Sequence, residues 1–205
     1  MAVVFPSKEW MDELLKKVNS DDQYRKVAAN WEGDFLCTVT LDSEALKDFQ
    51  NPEKLAGFIS MLATIPKEKW ASFKGRAEER LLNKLGIELD PKKVDLAKLN
   101  VNELAKKMAE VKLEEVQGAS INLWMDFWHG QLRNLEVAVP GEKGNARFKL
   151  IGPYSVYKQL VGGKADAITL IVGGKLKLQG DMGYMMRNMA AVRRFTELMA
   201  SIPIK

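Results

Sequence analysis

Hydrophobic positions change period twice along this chain of 205 residues. Met11, Leu14, Leu15 and Val18 recur at helical spacing behind Ser7, which can cap a helix. Asp21 can cap a second helix, whose buried face would hold Tyr24, Val27, Ala28 and Trp31. Gly33 and Asp34 then break the pattern. From Phe35 to Leu41 the period is two, with Phe35, Cys37, Val39 and Leu41 on one face and two threonines on the other. That alternation predicts a half-buried strand. The chain thus opens helix, helix, strand.

Residues 44–116 predict helix throughout. Asn51 and Pro52 place a cap and a first-turn proline ahead of Leu55, Phe58, Ile59 and Leu62. Pro66 opens a helix running through Trp70, Phe73, Ala77, Leu81 and Leu85, which Gly86 can end. Asn100 and Glu103 resemble a capping box before Leu104, Met108 and Val111. With no strand-like alternation, the block reads as a helical subdomain placed between strands.

From Gly118 the period returns to two. Ala119, Ile121, Leu123, Met125 and Phe127 share one face of a long strand, and Asn122, Trp124, Asp126 and Trp128 the other. Both faces are substantially apolar, so either the strand is covered on both sides or one face lines a pocket or partner surface. Leu135, Val137 and Val139 predict a strand ended by Pro140 and Gly141, and Arg147 to Ile151 another. The short connections predict an antiparallel meander. Ser155 to Val161 predicts a brief helix stopped by Gly162 and Gly163. After the Gly173-Gly174 break, Lys175 to Gln179 predicts a fifth strand, with Leu176 and Leu178 inward. The closing helix carries Met182, Met185, Met186, Met189 and Met199, five of the ten methionines in the protein. Methionine is unbranched and polarizable, which suits either an irregular core or a cavity that accepts flexible hydrocarbon.

Hydrophobic residues make up 46% of the chain and charged residues 28%, which is ordinary for a soluble globular protein. The net charge is +4, and residues 67–110 hold 11 Lys and Arg against 8 Asp and Glu. A bias this mild suits transient contact with an anionic membrane surface or acidic partner, and is too weak for a nucleic-acid binder. Cys37 is the only cysteine, so no intrachain disulfide can form. The apolar run Met1 to Pro6 is too short for a signal peptide, and no stretch approaches the ~20 apolar residues of a membrane span. A cytoplasmic protein is expected.

Catalytic chemistry finds little to work with. His129 is the only histidine and adjoins Gly130, as a turn residue would. Cys37 falls at an apolar strand position, where a thiol is inert. One His and one Cys cannot assemble a zinc site of His and Cys ligands. Asp181 follows Gly180 as a helix cap would, and Asp126 lacks a positioned second group. The glycine pairs lack the order of a phosphate loop. No enzyme activity, cofactor or metal is expected.

The run Val172-Gly173-Gly174-Lys175-Leu176-Lys177-Leu178-Gln179-Gly180-Asp181, followed by an apolar helix, resembles the C-terminal signature of the sterol carrier protein (lipid-transfer) family. Ala165 to Ile168 resembles the helix before it, and Glu9-Trp10 through Tyr24 to Asp34 resembles bacterial and archaeal versions with two lead helices. The likeness covers residues 1–42 and about 117–200. It implies an α+β fold, a five-stranded mixed, mainly antiparallel sheet covered by helices. The whole chain, 1–205, would be one such domain with 44–116 a helical insertion between strands 1 and 2. It further implies non-covalent binding and transfer of a fatty acid, fatty acyl-CoA, sterol or other lipid in an apolar tunnel. On this chain the implied wall is Leu176, Leu178, Met182, Met185, Met186, Met189 and Phe195. The sheet would add members of Met125, Phe127, Phe148 and Leu150, or else the Trp124/Trp128 face. The alternative is an interaction or assembly module of the same fold, its methionines packing a filled core or the face of a homodimer.

Overall fold

In the computed structural model, which describes residues 2–205, the chain opens with two capped helices. Met1, which begins the N-terminal apolar run, lies outside the described residues. Ser7 accepts from the Trp10 amide at the start of α1 (Lys8–Asn19), and Asp21 caps α2 (Asp22–Val27) through the Tyr24 amide. Strand β1 (Glu32–Thr40) follows. Helices α3 (Ser43–Asp48), α4 (Pro52–Leu62), α5 (Ala77–Lys84) and α6 (Val101–Glu110) then occupy the stretch before β2 (Ser120–Trp128). Next come β3 (Gln131–Ala138), β4 (Phe148–Pro153), α7 (Tyr154–Val161), α8 (Ala167–Val172), β5 (Lys177–Gly180), α9 (Met182–Arg187) and α10 (Met189–Ala200).

The five strands form one sheet in the order β3-β2-β1-β4-β5, antiparallel except for the β1–β4 pair. β2 and β3 meet as the expected hairpin. His129 (φ 46°) and Gly130 (φ 77°) supply the two left-handed residues that a tight hairpin turn requires. The meander stops there. β4 does not pair with β3; it crosses to the far side of β1 and runs parallel to it. Residues 139–147 can reach about 30 Å when extended, roughly twice the ~14 Å across three strand spacings, so a short connection does not compel adjacency.

The middle block carries helices and no strand, but it is not helical throughout, since residues 85–95 form turns and irregular chain. The helix predicted from Pro66 to Leu85 is two pieces, a 3₁₀ segment Lys67–Phe73 and α5. Gly75 (φ 74°) separates them, and its amide donates to the Glu79 carboxylate at 2.6 Å. Asn100 caps α6 through the amides of Asn102 and Glu103. Leu55, Phe58, Trp70, Leu81 and Met108 belong to the same contiguous core as the sheet.

Helices cover one face of the sheet. Along β2, Ile121, Leu123, Met125 and Phe127 are buried, whereas Trp124 is half-buried and Trp128 is 40% exposed. The outer face is therefore a polar and aromatic surface. Trp124 Nε1 donates to Asp34 at 2.6 Å, and Lys143 sits 3.5 Å over its ring. The crossover lies on this face, where Ala146 packs with Leu36 and Trp124. A bulge at Arg133 turns that side chain onto Asp126 in a two-point ion pair (2.9 and 3.0 Å) and puts Leu132 in the core. Among the described residues no helix is long and apolar enough to cross a membrane.

Candidate functional site

A cavity of about 90 Å³ lies between the covered face of the sheet and the helices. Its floor is Phe35, Cys37 and Val39 of β1, Leu123, Met125 and Phe127 of β2, Leu150 of β4 and Leu178 of β5. The period of two along each strand sends alternate side chains to this one face. Its roof draws on six helices: Trp10 from α1, Tyr24 from α2, Tyr157 and Leu160 from α7, Ile171 from α8, Met185 from α9, and Ala191, Phe195 and Met199 from α10. Phe127 and Phe195 meet edge to face at 4.9 Å across the space.

The wall contains no Asp, Glu, Lys, Arg or His. Most of its polar groups are bonded within the protein. Tyr157 donates to the Leu150 carbonyl at 2.6 Å, and Trp31 Nε1 to the Gly33 carbonyl at 3.1 Å. Burial pushes the Cys37 thiol up to about 12, so it stays protonated and unreactive. Tyr157 is held well above its ordinary value, also by burial.

Two polar ties hold the roof at its edges. Arg194 of α10 reaches Asp21 at the start of α2 (2.6 and 3.0 Å), and its hydrogen bonds keep the Asp21 carboxyl below the usual range. Tyr184 of α9 accepts from the Glu32 amide at 2.7 Å and donates to the Asn30 carbonyl at 3.1 Å. The Arg147 guanidinium lies 3.7 Å over the Tyr184 ring.

The residues expected on the wall divide three ways. Met125, Phe127, Leu150, Leu178, Met185 and Phe195 line the cavity. Phe148 and Leu176 are fully buried beside it without reaching it; Phe148 stacks on Phe35 at 5.0 Å. A side chain at Gly152 would collide with Leu176, so the glycine lets that leucine settle onto the sheet. Met189 is half-buried off the wall. Trp124 and Trp128 lie on the opposite face, and Met182 (46% exposed) and Met186 (60%) point to solvent. The methionine helix is interrupted at Asn188, so its stripe is not one continuous face. The wall also takes Phe5, Trp10, Tyr24, Trp31 and Tyr157, which the sequence pattern did not assign to it. For Trp10 and Tyr24 the signal was an aromatic residue on the buried side of a lead helix.

His129 sits in the hairpin turn, its Nε2 2.7 Å from Glu32, and Asp181 caps α9 through the Tyr184 amide. Neither touches the cavity. Among the described residues no group of three or more His, Cys, Asp or Glu is arranged to hold a metal ion.

The site is an apolar cavity between a five-stranded sheet and its helical roof, in an α+β fold. The chain belongs to the SCP-2 sterol transfer family, whose family model matches residues 87–193. The match begins inside the helical block and runs into α10. The fold is similar to a crystal structure of sterol carrier protein 2, with 15% identity over 96% of this chain and 97% of that one and a TM-score of 0.54. It is equally similar to a solution structure of a conserved hypothetical protein from Thermus thermophilus, with 12% identity over 97% and 90% of the two chains and a TM-score of 0.55. No curated protein matches the chain in sequence.

Proposed function

We propose that the protein binds a lipid in the cavity beneath its helical roof and carries it without covalent chemistry. The observation behind this reading is a cavity wall free of Asp, Glu, Lys, Arg and His, assembled from one sheet face and six helices. Membership of a sterol transfer family supports it. The same wall argues against hydrolysis or covalent group transfer. The one buried thiol is protonated, and the one histidine lies in a turn bonded to a carboxylate.

Apolar burial supplies the affinity. At about 25 cal/mol per Å², roughly 400 Å² of buried hydrocarbon contributes ~10 kcal/mol, from which association subtracts several. The volume of about 90 Å³ is below the ~150 Å³ of a cavity that holds benzene, so a long chain requires the walls to part. Met185 and Met199 can repack as they do so. Residues 44–116 then act as a helical insertion buttressing the far end of the sheet, within one domain spanning the chain.

Native mass spectrometry and organic extraction of freshly purified protein test the reading, followed by titration of delipidated protein with fluorescent fatty acids and sterols. Copurified lipid and micromolar binding are expected. A protein that arrives empty and binds none of these ligands is not a carrier. The small volume favours one competitor, an assembly module with the same fold and a filled core.

A further inference from the structure

The free edge of the sheet at β5 carries a surface that the cavity does not account for. Four large apolar side chains stand exposed among the described residues, and three of them flank this edge: Val172 (82%), Met182 (46%) and Met186 (60%). The fourth, Trp128, has Arg133 over its ring. Val172 ends α8 and Met182 begins α9. Between them β5 has four residues, so it is roughly 13 Å long.

The same stretch is strongly basic. Residues 147–187 contain seven Lys and Arg against two Asp and no Glu, a net of +5 where the whole chain has +4. Both aspartates are occupied as helix caps, Asp166 on α8 and Asp181 on α9. Lys158 is taken up by Glu44 and Asp48, and Arg147 lies 4.0 Å from Asp181. Lys149, Lys175, Lys177 and Arg187 form no ion pair among the described residues. Leu150 and Leu178 face the cavity, so alternation sends Lys149 and Lys177 to the outer side of the sheet beside the edge. A Cβ added at Gly183 would lie 3.4 Å from both Arg187 Nη1 and the Asp181 carboxylate, which places Arg187 back over the first turn of α9.

Apolar side chains at both ends of a strand, with cations between and around them, fit one kind of partner. A protein interface excludes lysine from its core. A second copy would bring the same positive charge to the contact. Lysine on an edge strand discourages pairing, but that role needs no exposed valine or methionine beside it. A bilayer accepts both kinds of residue: cations rest at anionic headgroups while apolar side chains enter just below them. Position adds a further reason. Ile171 and Met185, adjacent in the chain to Val172 and Met186, line the cavity.

We propose that the α8–β5–α9 edge docks on an anionic membrane surface, with Val172, Met182 and Met186 entering the headgroup layer and Lys175, Lys177 and Arg187 meeting its phosphates. Because this edge is also a wall of the cavity, lipid passes between bilayer and protein there. The docking stands without the carrier reading; the passage of lipid rests on it.

The test sediments the protein with vesicles of phosphatidylcholine alone or of an equimolar mixture with phosphatidylserine. The anionic vesicles should bind at least about tenfold more tightly, an advantage lost near ~1 M salt, where the Debye length is about 3 Å. Lys175→Gln combined with Lys177→Gln should weaken that binding about 25-fold, or about fivefold for each lysine. Val172→Ser should weaken it about fivefold. The same double change at Lys106 and Lys107 of α6 should stay within about twofold, since those charges lie away from the docked edge. Because Cys37 is buried, Met186→Cys and Lys106→Cys can each carry a single nitrobenzoxadiazole label. The label at 186 should brighten and shift to the blue on anionic vesicles, and the label at 106 should not. Docking at this edge is refuted by protein that ignores anionic vesicles, by an equal loss from the α6 pair, or by an unchanged label at 186. A dimer that Val172→Ser splits would refute it too, by giving the edge to a second copy. A fluorescent fatty acid presented from cyclodextrin separates the two readings. If it binds while vesicles are ignored, the carrier stands and the docking falls; if vesicles bind and it does not, the reverse holds.

Discussion

Replacing Ala191 by leucine separates a ligand cavity from a filled core by the sign of its effect. Ala191 is 2% exposed and faces the cavity from α10. Leucine adds three carbons to a void of about 90 Å³. Residual cavity volume costs about 24 cal/mol per Å³, so filling the space completely would return roughly 2 kcal/mol. For a domain of this length that raises Tm by about 4–8 °C. In a core already packed to capacity, the same carbons would force side chains off their rotamers and cost ~1–3 kcal/mol. Thermal unfolding of delipidated protein, followed by circular dichroism, reads the sign. A parallel titration with a fluorescent fatty acid or sterol reads occupancy. A carrier gains stability and loses ligand binding together. A lowered Tm with ligand binding unchanged would show that the space is not the ligand site.

Other outcomes follow from particular contacts. Tyr184→Phe removes the hydroxyl that ties α9 to the start of β1, so stopped-flow uptake should quicken about fivefold, the factor that ~1 kcal/mol represents. A rate equal to the parent's would mean that lipid passes elsewhere. Met186→Gln at the exposed position should leave Tm within ~1 °C, whereas Met185→Ala on the wall should destabilise by about 2–4 kcal/mol. Equal effects in a paired melt would contradict the placement of α9. Cys37 should resist a thiol reagent until denaturant unfolds the chain, since burial keeps it protonated; prompt labelling of native protein would refute that.

Asp48 makes stability depend on acid. Burial raises its pKa, but Lys158, Lys54 (2.7 Å) and the Tyr154 hydroxyl (3.0 Å) outweigh burial and hold it below the ordinary value. A lowered folded pKa means this contribution is complete above the unfolded value of ~4 and is lost as pH falls through the folded one. Asp48→Asn should cost roughly 1–2 kcal/mol at pH 7. It should also flatten the decline in urea midpoint below about pH 4, and an unchanged acid profile would exclude Asp48 as its source.

Local signals in the sequence went far. Ser7, Asp21, Asn51, Asn100 and Asp181 all cap the helices they precede. A cap is a bond between near neighbours, so it is written within a few residues of chain. The alternation along β1 and β2 was legible for the same reason, as was a strand after Gly174, expected from Lys175 to Gln179 and found at Lys177–Gly180. What misled was hydrophobicity without direction. Trp124 and Trp128 read as a second apolar face, but cations cover their rings from the solvent side: Lys143 lies over Trp124 and Arg133 over Trp128. Met182 and Met186 read as wall, but α9 ends at Arg187 and shows only Met185 to the cavity.

The sequence by itself determined the capped helices, the strand periods, the family signature after Val172 and the poverty of catalytic groups. These depend on contacts a few residues apart or on composition. Only the tertiary structure decided that β4 passes β3 to run parallel beside β1, which face of β2 is covered, and that Trp10 and Tyr24 share a cavity with Leu178 and Phe195. Those outcomes depend on which distant surfaces meet, and a pattern of polar and apolar positions specifies that a face is buried without naming what buries it.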